Sequence, residues 1–201
     1  MEKAVGNWRL IAVIVLAGVF FVSASALNFM LHKDGFVKWS SPDETANYVF
    51  SKLYAQEGKL TIFEKNNLIA NDIIIPRSFR SDSGLIKPVS FLGMPIYYGW
   101  LGRIFSFGII PYITPFLAAM GIVIYYLLSN KIFNRDIALI SSLLLFSFPV
   151  YLHYSARSMF HNIPFTVFLL AASSACMNSL YLWRADPGCH GISSCRNIIS
   201  G

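Results

Sequence analysis

One long apolar segment near the start, residues 10–31, limits what this chain can fold into. As a helix it is about 33 Å long at 1.5 Å per residue, enough to cross a hydrocarbon core of about 30 Å. The whole chain is 55% hydrophobic and only 13% charged, whereas a soluble domain has roughly 25% charged residues. The sequence therefore predicts an integral membrane protein.

The first apolar segment also has the features of a signal peptide. Lys3 and Arg9 precede the apolar core, and Ala24-Ser25-Ala26 fits a small-residue cleavage site. However, the apolar run continues past that site to residue 31, and further apolar segments follow. This favours an uncleaved first helix, and either alternative exports the polypeptide that comes next.

Three later segments, residues 109–128, 137–154 and 163–183, predict further membrane spans. Pro149 marks the expected position of a kink in the second of these three. With residues 10–31 they give an all-α integral membrane protein with about four transmembrane helices. Its first outer loop carries additional juxtamembrane helices.

Residues 88–107 decide the topology because they could either cross the membrane or lie along its surface. Their aromatic residues, which include Trp100 and two tyrosines, suit headgroup depth, so an interfacial helix is predicted. That choice leaves Lys131 and Arg135 in the cytoplasm. It makes residues 32–108 one long outer loop.

The basic residues support this orientation. The short outer loop, residues 155–162, carries only Arg157, and long loops are not counted because they translocate largely regardless of charge. We therefore expect a membrane domain at residues 1–183 and a short cytoplasmic tail at residues 184–201, where the chain could be truncated. The basic residues on the predicted cytoplasmic side are Lys3, Arg9, Lys131, Arg135, Arg184 and Arg196.

The outer loop contains two adjacent carboxylates, Asp43 and Glu44, at the start of a predicted helix. Ser41 fits the N-cap, Pro42 the first helical position and Glu44 the last position of a capping box, while Gly58 is a natural stop. A helix start alone accounts for both acids, because the helix dipole favours negative charge there. Their position outside, near the membrane, adds the alternative that they are catalytic.

The remainder of the outer loop supplies basic side chains. Residues 73–75 indicate a short strand, and residues 77–84 a loop rich in hydrogen-bond donors. Arg77, Arg80 and Lys87 could bind a phosphate while a nearby carboxylate takes a proton from an acceptor hydroxyl. The alternative is that they contact anionic headgroups, at about 1 kcal/mol each.

These residues together resemble the GT-C membrane glycosyltransferases, and within them the lipid A aminoarabinose transferases and the protein O-mannosyltransferase-like group. The resemblance extends from residue 9 to about residue 183, which is the N-terminal portion of such an enzyme. The residues that carry it are Trp39, Pro42-Asp43-Glu44-Thr45, Tyr48, Gly58 and Lys87-Pro88 before the aromatic helix.

The resemblance implies a sugar donor linked to polyprenyl phosphate, a membrane-lipid environment, and a glycan, lipid or protein acceptor. The site would lie on the extracytoplasmic face of the cell membrane. Asp43 would be the base or acceptor-positioning carboxylate, Glu44 its partner, and Lys87 the lysine beside the donor phosphate. Arg77 and Arg80 are proposed from their chemistry alone. No cofactor is implied, and a divalent metal stays open.

The sequence departs from the family pattern in two respects. Many relatives have a second acidic residue in the second outer loop, but here that position is Asn162, and an amide cannot act as a base. His161 beside it is a candidate for acceptor binding. Family members are also much longer, so the alternative function is a truncated, non-catalytic polytopic membrane protein.

Other classes of function fit less well. The lysines and arginines form no basic face, which argues against nucleic acid. A small transporter would need ionisable residues inside the spans, and residues 109–128 and 163–183 have none. Cys189, His190 and Cys195 match no zinc pattern, so no metal site is predicted there.

Overall fold

The computed structural model describes residues 7–30, 41–89 and 91–185. Expectations for Trp39 and for residues 186–201 lie outside these ranges. The described chain is mostly helical, which is consistent with the predicted class. Its helices are α1 (Asn7–Met30), α2 (Pro42–Glu57), α3 (Lys65–Ile69), α4 (Gly93–Ile104), α5 (Ile110–Ile132), α6 (Arg135–Ser147), α7 (Pro149–Ala156) and α8 (Asn162–Ala185), and its strands are β1 (Ile62–Phe63), β2 (Phe79–Asp82) and β3 (Leu85–Pro88).

Two helical stretches in the described chain are long and apolar enough to cross a membrane, Trp8–Met30 and Phe107–Ile132. A third candidate is the pair α6 and α7, which passes the same test only if the two helices are taken as one broken span. They are bent by 56° at the predicted position, next to Pro149. The count of four spans stays a prediction.

Helix α5 is the centre of the bundle, and it packs against α1, α6 and α8. The core between these helices includes Val13 and Phe20 from α1, together with Ile122 from α5, all essentially buried. At Gly121 an added Cβ would lie 2.5 Å from the Tyr151 hydroxyl oxygen. The absence of a side chain there lets α7 approach α5 closely.

Polar contacts identify the two ends of the bundle. At one end Arg9 of α1 forms an ion pair with Asp136 of α6, with a nitrogen–oxygen distance of 2.7 Å. Lys131, five residues before Asp136, donates hydrogen bonds to Ser174 and Asn178 of α8. The residues expected in the cytoplasm therefore meet at one end, and the outer-loop residues lie at the other.

At the end of the bundle opposite to Arg9, a buried amide donates to a carbonyl whose usual helical partner is a proline. Pro115 lies inside α5 and has no N–H, so it cannot bond to the carbonyl of Pro111 four residues earlier. The side-chain amide of Asn28, which is fully buried, donates to this carbonyl oxygen at 2.8 Å. It also donates to Ser158 at 2.8 Å, so α1, α5 and the second outer loop meet at Asn28.

The outer region contains a small antiparallel sheet in the order β1-β3-β2, an addition to the predicted all-α class. Arg80 and Lys87 are paired across β2 and β3. Phe79 packs against Phe50 of α2, with ring centroids 5.5 Å apart. The sheet therefore covers one side of α2.

Two predictions for this region were wrong. Residues 73–75 form no strand, because positive φ angles at Asn71 and Asp72 turn the chain and the Ile74 N–H bonds to the Asn67 side chain instead of a neighbouring strand. The segment expected as a loop, residues 77–84, contains β2 and the turn that leads to β3.

Helix α4 has 12 residues, or about 18 Å of length, which is too short to cross a bilayer. It packs so closely against α2 that an added Cβ at Gly99 would lie 2.7 Å from the carbonyl oxygen of Ser51. Trp100 on α4 is exposed. These features fit the predicted surface helix better than a crossing.

Candidate functional site

The start of α2 has the predicted geometry. The Ser41 N–H donates to the Glu44 side chain at 3.2 Å, which forms the expected capping-box contact. Pro42 is at the first helical position, and Gly58 ends the helix with φ +71°. The position of Asp43 and Glu44 in space therefore follows from the local sequence.

The two adjacent acids have opposite environments. Glu44 is buried, with 1% of its surface exposed, and forms an ion pair with Arg157 of the second outer loop. The Arg157 Nε–H donates to Glu44 Oε1 at 3.1 Å, and a second guanidinium nitrogen donates to Oε2. With both oxygens engaged, Glu44 is placed to hold α2 against this loop.

Asn47, one helical turn after Glu44, makes a second connection to the same loop. Its side-chain N–H donates to the Met159 carbonyl at 2.8 Å. Its Oδ1 is buried and lacks a hydrogen-bond partner within the described residues. Residues 155–162 therefore contact the acidic helix at Glu44 and Asn47.

Sequence reasoning missed the partner in this contact. The sequence placed Arg157 in the short loop before residue 162 but did not predict that it reaches Glu44. The available signal was that Arg157 is the one lysine or arginine in the short predicted loop at residues 155–162, on the side where the two acids were also predicted. A buried acid requires a cation, and Arg157 was the nearest candidate.

Asp43 is exposed and accepts a hydrogen bond from the Ser78 hydroxyl. Ser78 precedes β2 and has a positive φ of 71°, so the turn presents this hydroxyl towards α2. A solvent-accessible carboxylate with one hydroxyl partner can still accept a proton from another hydroxyl group. Of the two predicted acids, only Asp43 is exposed enough to accept a proton in this way.

The three predicted phosphate-binding residues do not surround the acids. Lys87 forms its ion pair with Asp82 in the same hairpin, at 3.1 Å. Because side chains alternate along a strand, Arg80 and Lys87 lie on the face of the sheet opposite to Phe79, which contacts α2. Arg77 is exposed and directly precedes Ser78, whose hydroxyl donates to Asp43. Of the three basic residues, it is therefore the nearest along the chain to this contact.

A buried polar network lies beneath the loop and α4. The hydroxyl groups of Tyr98 and Thr114 are 2.6 Å apart, and Thr114 also donates to the Ser158 carbonyl. Burial raises the pKa of Tyr98, so its hydroxyl stays protonated. This network joins α4 to the membrane helix α5 and to the segment that holds Arg157.

An apolar cleft of about 370 Å³ opens between the start of α4 and the start of α8. His161 and Asn162 lie at its lining, and the His161 ring packs against Phe91 at a tilt, with centroids 4.7 Å apart. A second apolar cleft, about 290 Å³, lies on the other side of Tyr97. The cleft walls are aromatic and aliphatic, which suits a hydrocarbon ligand more than a charged one.

Within residues 7–30, 41–89 and 91–185, no group of three or more metal-ligating side chains is assembled. The predicted site is therefore divided into an exposed acid at Asp43, a structural ion pair at Glu44, a separate cationic hairpin face, and a cleft beside Asn162.

No protein family model, curated protein or solved structure matches this chain.

Proposed function

We propose that the protein is a membrane glycosyltransferase of the GT-C type, or its N-terminal portion. It would transfer a sugar from a polyprenyl-phosphate-linked donor to a glycan, lipid or protein acceptor. In this proposal the chain crosses the cell membrane four times, α8 being the fourth span, and α2 lies on the extracytoplasmic side. Two long apolar helices support the membrane location.

The observation that carries the proposal is the exposed carboxylate of Asp43 on a rigidly held helix. The Glu44–Arg157 pair and the Asn47 contact with Met159 hold α2 against the second outer loop. Asp43 is therefore fixed next to the ends of the membrane helices, where a lipid-linked sugar would be presented. A base in that position can take the proton of an acceptor hydroxyl as the phosphate leaves.

The two clefts on either side of Tyr97 support a donor with a hydrocarbon chain. His161 and Asn162 are the polar side chains at the first cleft, and they are suited to hydrogen-bond a sugar or acceptor. Lys87, Arg80 and Arg77 are all at least partly exposed in the hairpin next to α2. Arg80 and Lys87 lie on the face of the sheet opposite to α2. To bind a donor phosphate near Asp43, their long side chains would have to extend past the edge of the hairpin.

The test is transfer of labelled sugar from a polyprenyl-phosphate donor in membranes that contain wild-type protein or one variant. We expect Asp43→Asn to lower the rate of transfer by about a hundredfold or more, because a general base contributes on that scale. Glu57→Gln, which removes an exposed acid at the other end of α2, is the matched control and should not change the rate.

A different result would favour the non-catalytic alternative. Its specific support is that Glu44 is engaged in an ion pair with Arg157. In addition, Asn162 occupies the position where the family resemblance implies a second acid. Equal transfer by wild type and Asp43→Asn would remove Asp43 from the mechanism. No transfer by the wild-type chain, with protein folded and donor present, would favour a membrane protein without transferase activity.

A further inference from the structure

Five aliphatic side chains are exposed within a short segment beside the hairpin, residues 68–75, where a water-soluble loop would be polar. They are between 40% and 79% exposed, and Ile73 is the most exposed of them. Isolated exposed aliphatic residues are common, but a contiguous apolar patch indicates an interaction site. We call this surface the aliphatic edge, and it consists of Leu68, Ile69, Ile73, Ile74 and Ile75.

The aliphatic edge is rigid. Asn67 is buried, and its Oδ1 accepts the Ile74 N–H at 3.0 Å while its amide donates to Ser81 at 2.6 Å. Asp72 accepts hydrogen bonds from Ser81 and from backbone N–H groups of the hairpin turn. These contacts hold the backbone in the position that leaves its isoleucine side chains exposed.

The chain just after the edge also contacts the segment that leads into α4. The Val89 N–H donates to the Ser78 carbonyl at 3.5 Å, and Ile75 is only three residues before Ser78, so it lies within about 10 Å of it. Val89 and Phe91 are themselves exposed apolar residues, and they directly precede the surface helix. Exposed apolar residues therefore lie on both of the segments that meet at this backbone contact.

The charges around the edge suit a lipid headgroup layer. Lys65 and Arg77, at either side of it, are exposed, and residues 59–87 contain five cations against three anions. The one acid inside the edge, Asp72, directs its carboxylate oxygens to the N–H groups of Ser83 and Gly84. Aliphatic side chains with flanking cations are the composition that binds an anionic membrane surface.

We propose that the aliphatic edge inserts into the headgroup and upper acyl region of the outer leaflet, in the same membrane that α1 and α5 cross. The hairpin would then lie along the bilayer, with Lys65 and Arg77 at the phosphates. This anchoring role is additional to sugar transfer and does not depend on it.

The experiment measures the depth of two single labels. The protein is placed in phosphatidylcholine–phosphatidylglycerol nanodiscs after Cys176, Cys189 and Cys195 are replaced by alanine. An environment-sensitive fluorophore is attached to Ile73→Cys or Ile74→Cys. Gln56→Cys, on the exposed polar side of α2, is the matched control.

Lipids that carry a nitroxide near the carboxyl end of the acyl chain should quench the labels at 73 and 74 at least about twofold more than the label at 56. Aqueous iodide should give the opposite order. Strong iodide quenching at 73 and 74 would overturn the proposal. Protection from both quenchers would also overturn it, because it would show that another protein surface covers the edge. The readout does not need transfer activity, so it is independent of the proposed function.

Discussion

Arg157 donates a hydrogen bond to each carboxylate oxygen of Glu44, and this pair joins two segments that are 113 residues apart in sequence. Glu44 is almost completely buried, whereas the Arg157 side chain keeps 28% of its exposure. Arg157 therefore compensates the charge of Glu44, and the ion pair holds α2 in position.

Replacement of Arg157 by alanine should destabilise the protein by about 3 kcal/mol, because a buried carboxylate is left without its cation. The measurement is the thermal unfolding of the purified protein in detergent. Arg77→Ala, at an exposed arginine, should stay within about 0.5 kcal/mol of wild type. The double variant Arg157→Met, Glu44→Leu should recover most of the loss, since neither charge remains buried. Equal stability of Arg157→Ala and Arg77→Ala would contradict the role assigned to the pair.

Asn28→Leu should cost about 1–3 kcal/mol, because the buried Pro111 carbonyl loses the side-chain amide that donates to it. The cost should fall in a Pro115→Ala background, where residue 115 has an N–H that can bond to Pro111 within α5. A double-mutant cycle on thermal unfolding measures this coupling. The interpretation fails if Asn28→Leu costs the same in both backgrounds.

Gly99→Ala should weaken the contact between α2 and α4 by about 1–3 kcal/mol, because the new methyl group would lie 2.7 Å from the Ser51 carbonyl oxygen. Gly93→Ala on the same helix is the control, since nothing lies within 4 Å of its added Cβ. Protease resistance of the outer loop in intact membranes provides the comparison. If both variants are equally resistant, the two helices can separate without loss and the close approach is not structural.

Acid should loosen the hairpin next to the aliphatic edge. The Ser81 hydrogen bond, with help from the Gly84 and Ser83 N–H groups, lowers the pKa of Asp72 from its usual 3.8. A carboxyl whose folded pKa is depressed stabilises the fold above 3.8, and this contribution is lost as the pH falls below 3.8 through the lowered value. Hydrogen exchange at the Ser83 and Gly84 amides should therefore accelerate there, beyond the intrinsic pH effect. Asp72→Asn should remove this dependence, while Asp82→Asn, an acid in the same hairpin, should retain it.

The helical elements could be predicted because their signals are local. Residues 10–31 and 109–128 were read from apolar length alone, and the ends of α2 followed from Ser41, Pro42 and Gly58. The bend at Pro149 was expected for the same reason, since proline acts on its own backbone. The orientation of the chain in the membrane is a further step that the helices alone do not fix.

The site was less predictable because its contacts join distant segments. Asp43 and Glu44 are neighbours with equal sequence signals, yet one is exposed and the other is buried against Arg157. The sequence did not predict the hairpin, because β2 and β3 are only four residues each. Their pairing depends on turns at Asp72 and Ser83, where the sequence shows no alternation of apolar and polar residues. The separation of Lys87 from the acids follows from that pairing.

The 56° angle between α6 and α7 has a consequence for the reach of the second outer loop. A helix of eight residues is about 12 Å long, so at this angle it displaces its far end sideways by about 10 Å. A straight continuation would instead place the far end of α7 on the line of the α6 axis. The bend at Phe148 and Pro149 thus directs α7 towards α2, and the Arg157 guanidinium group at the end of α7 contacts Glu44.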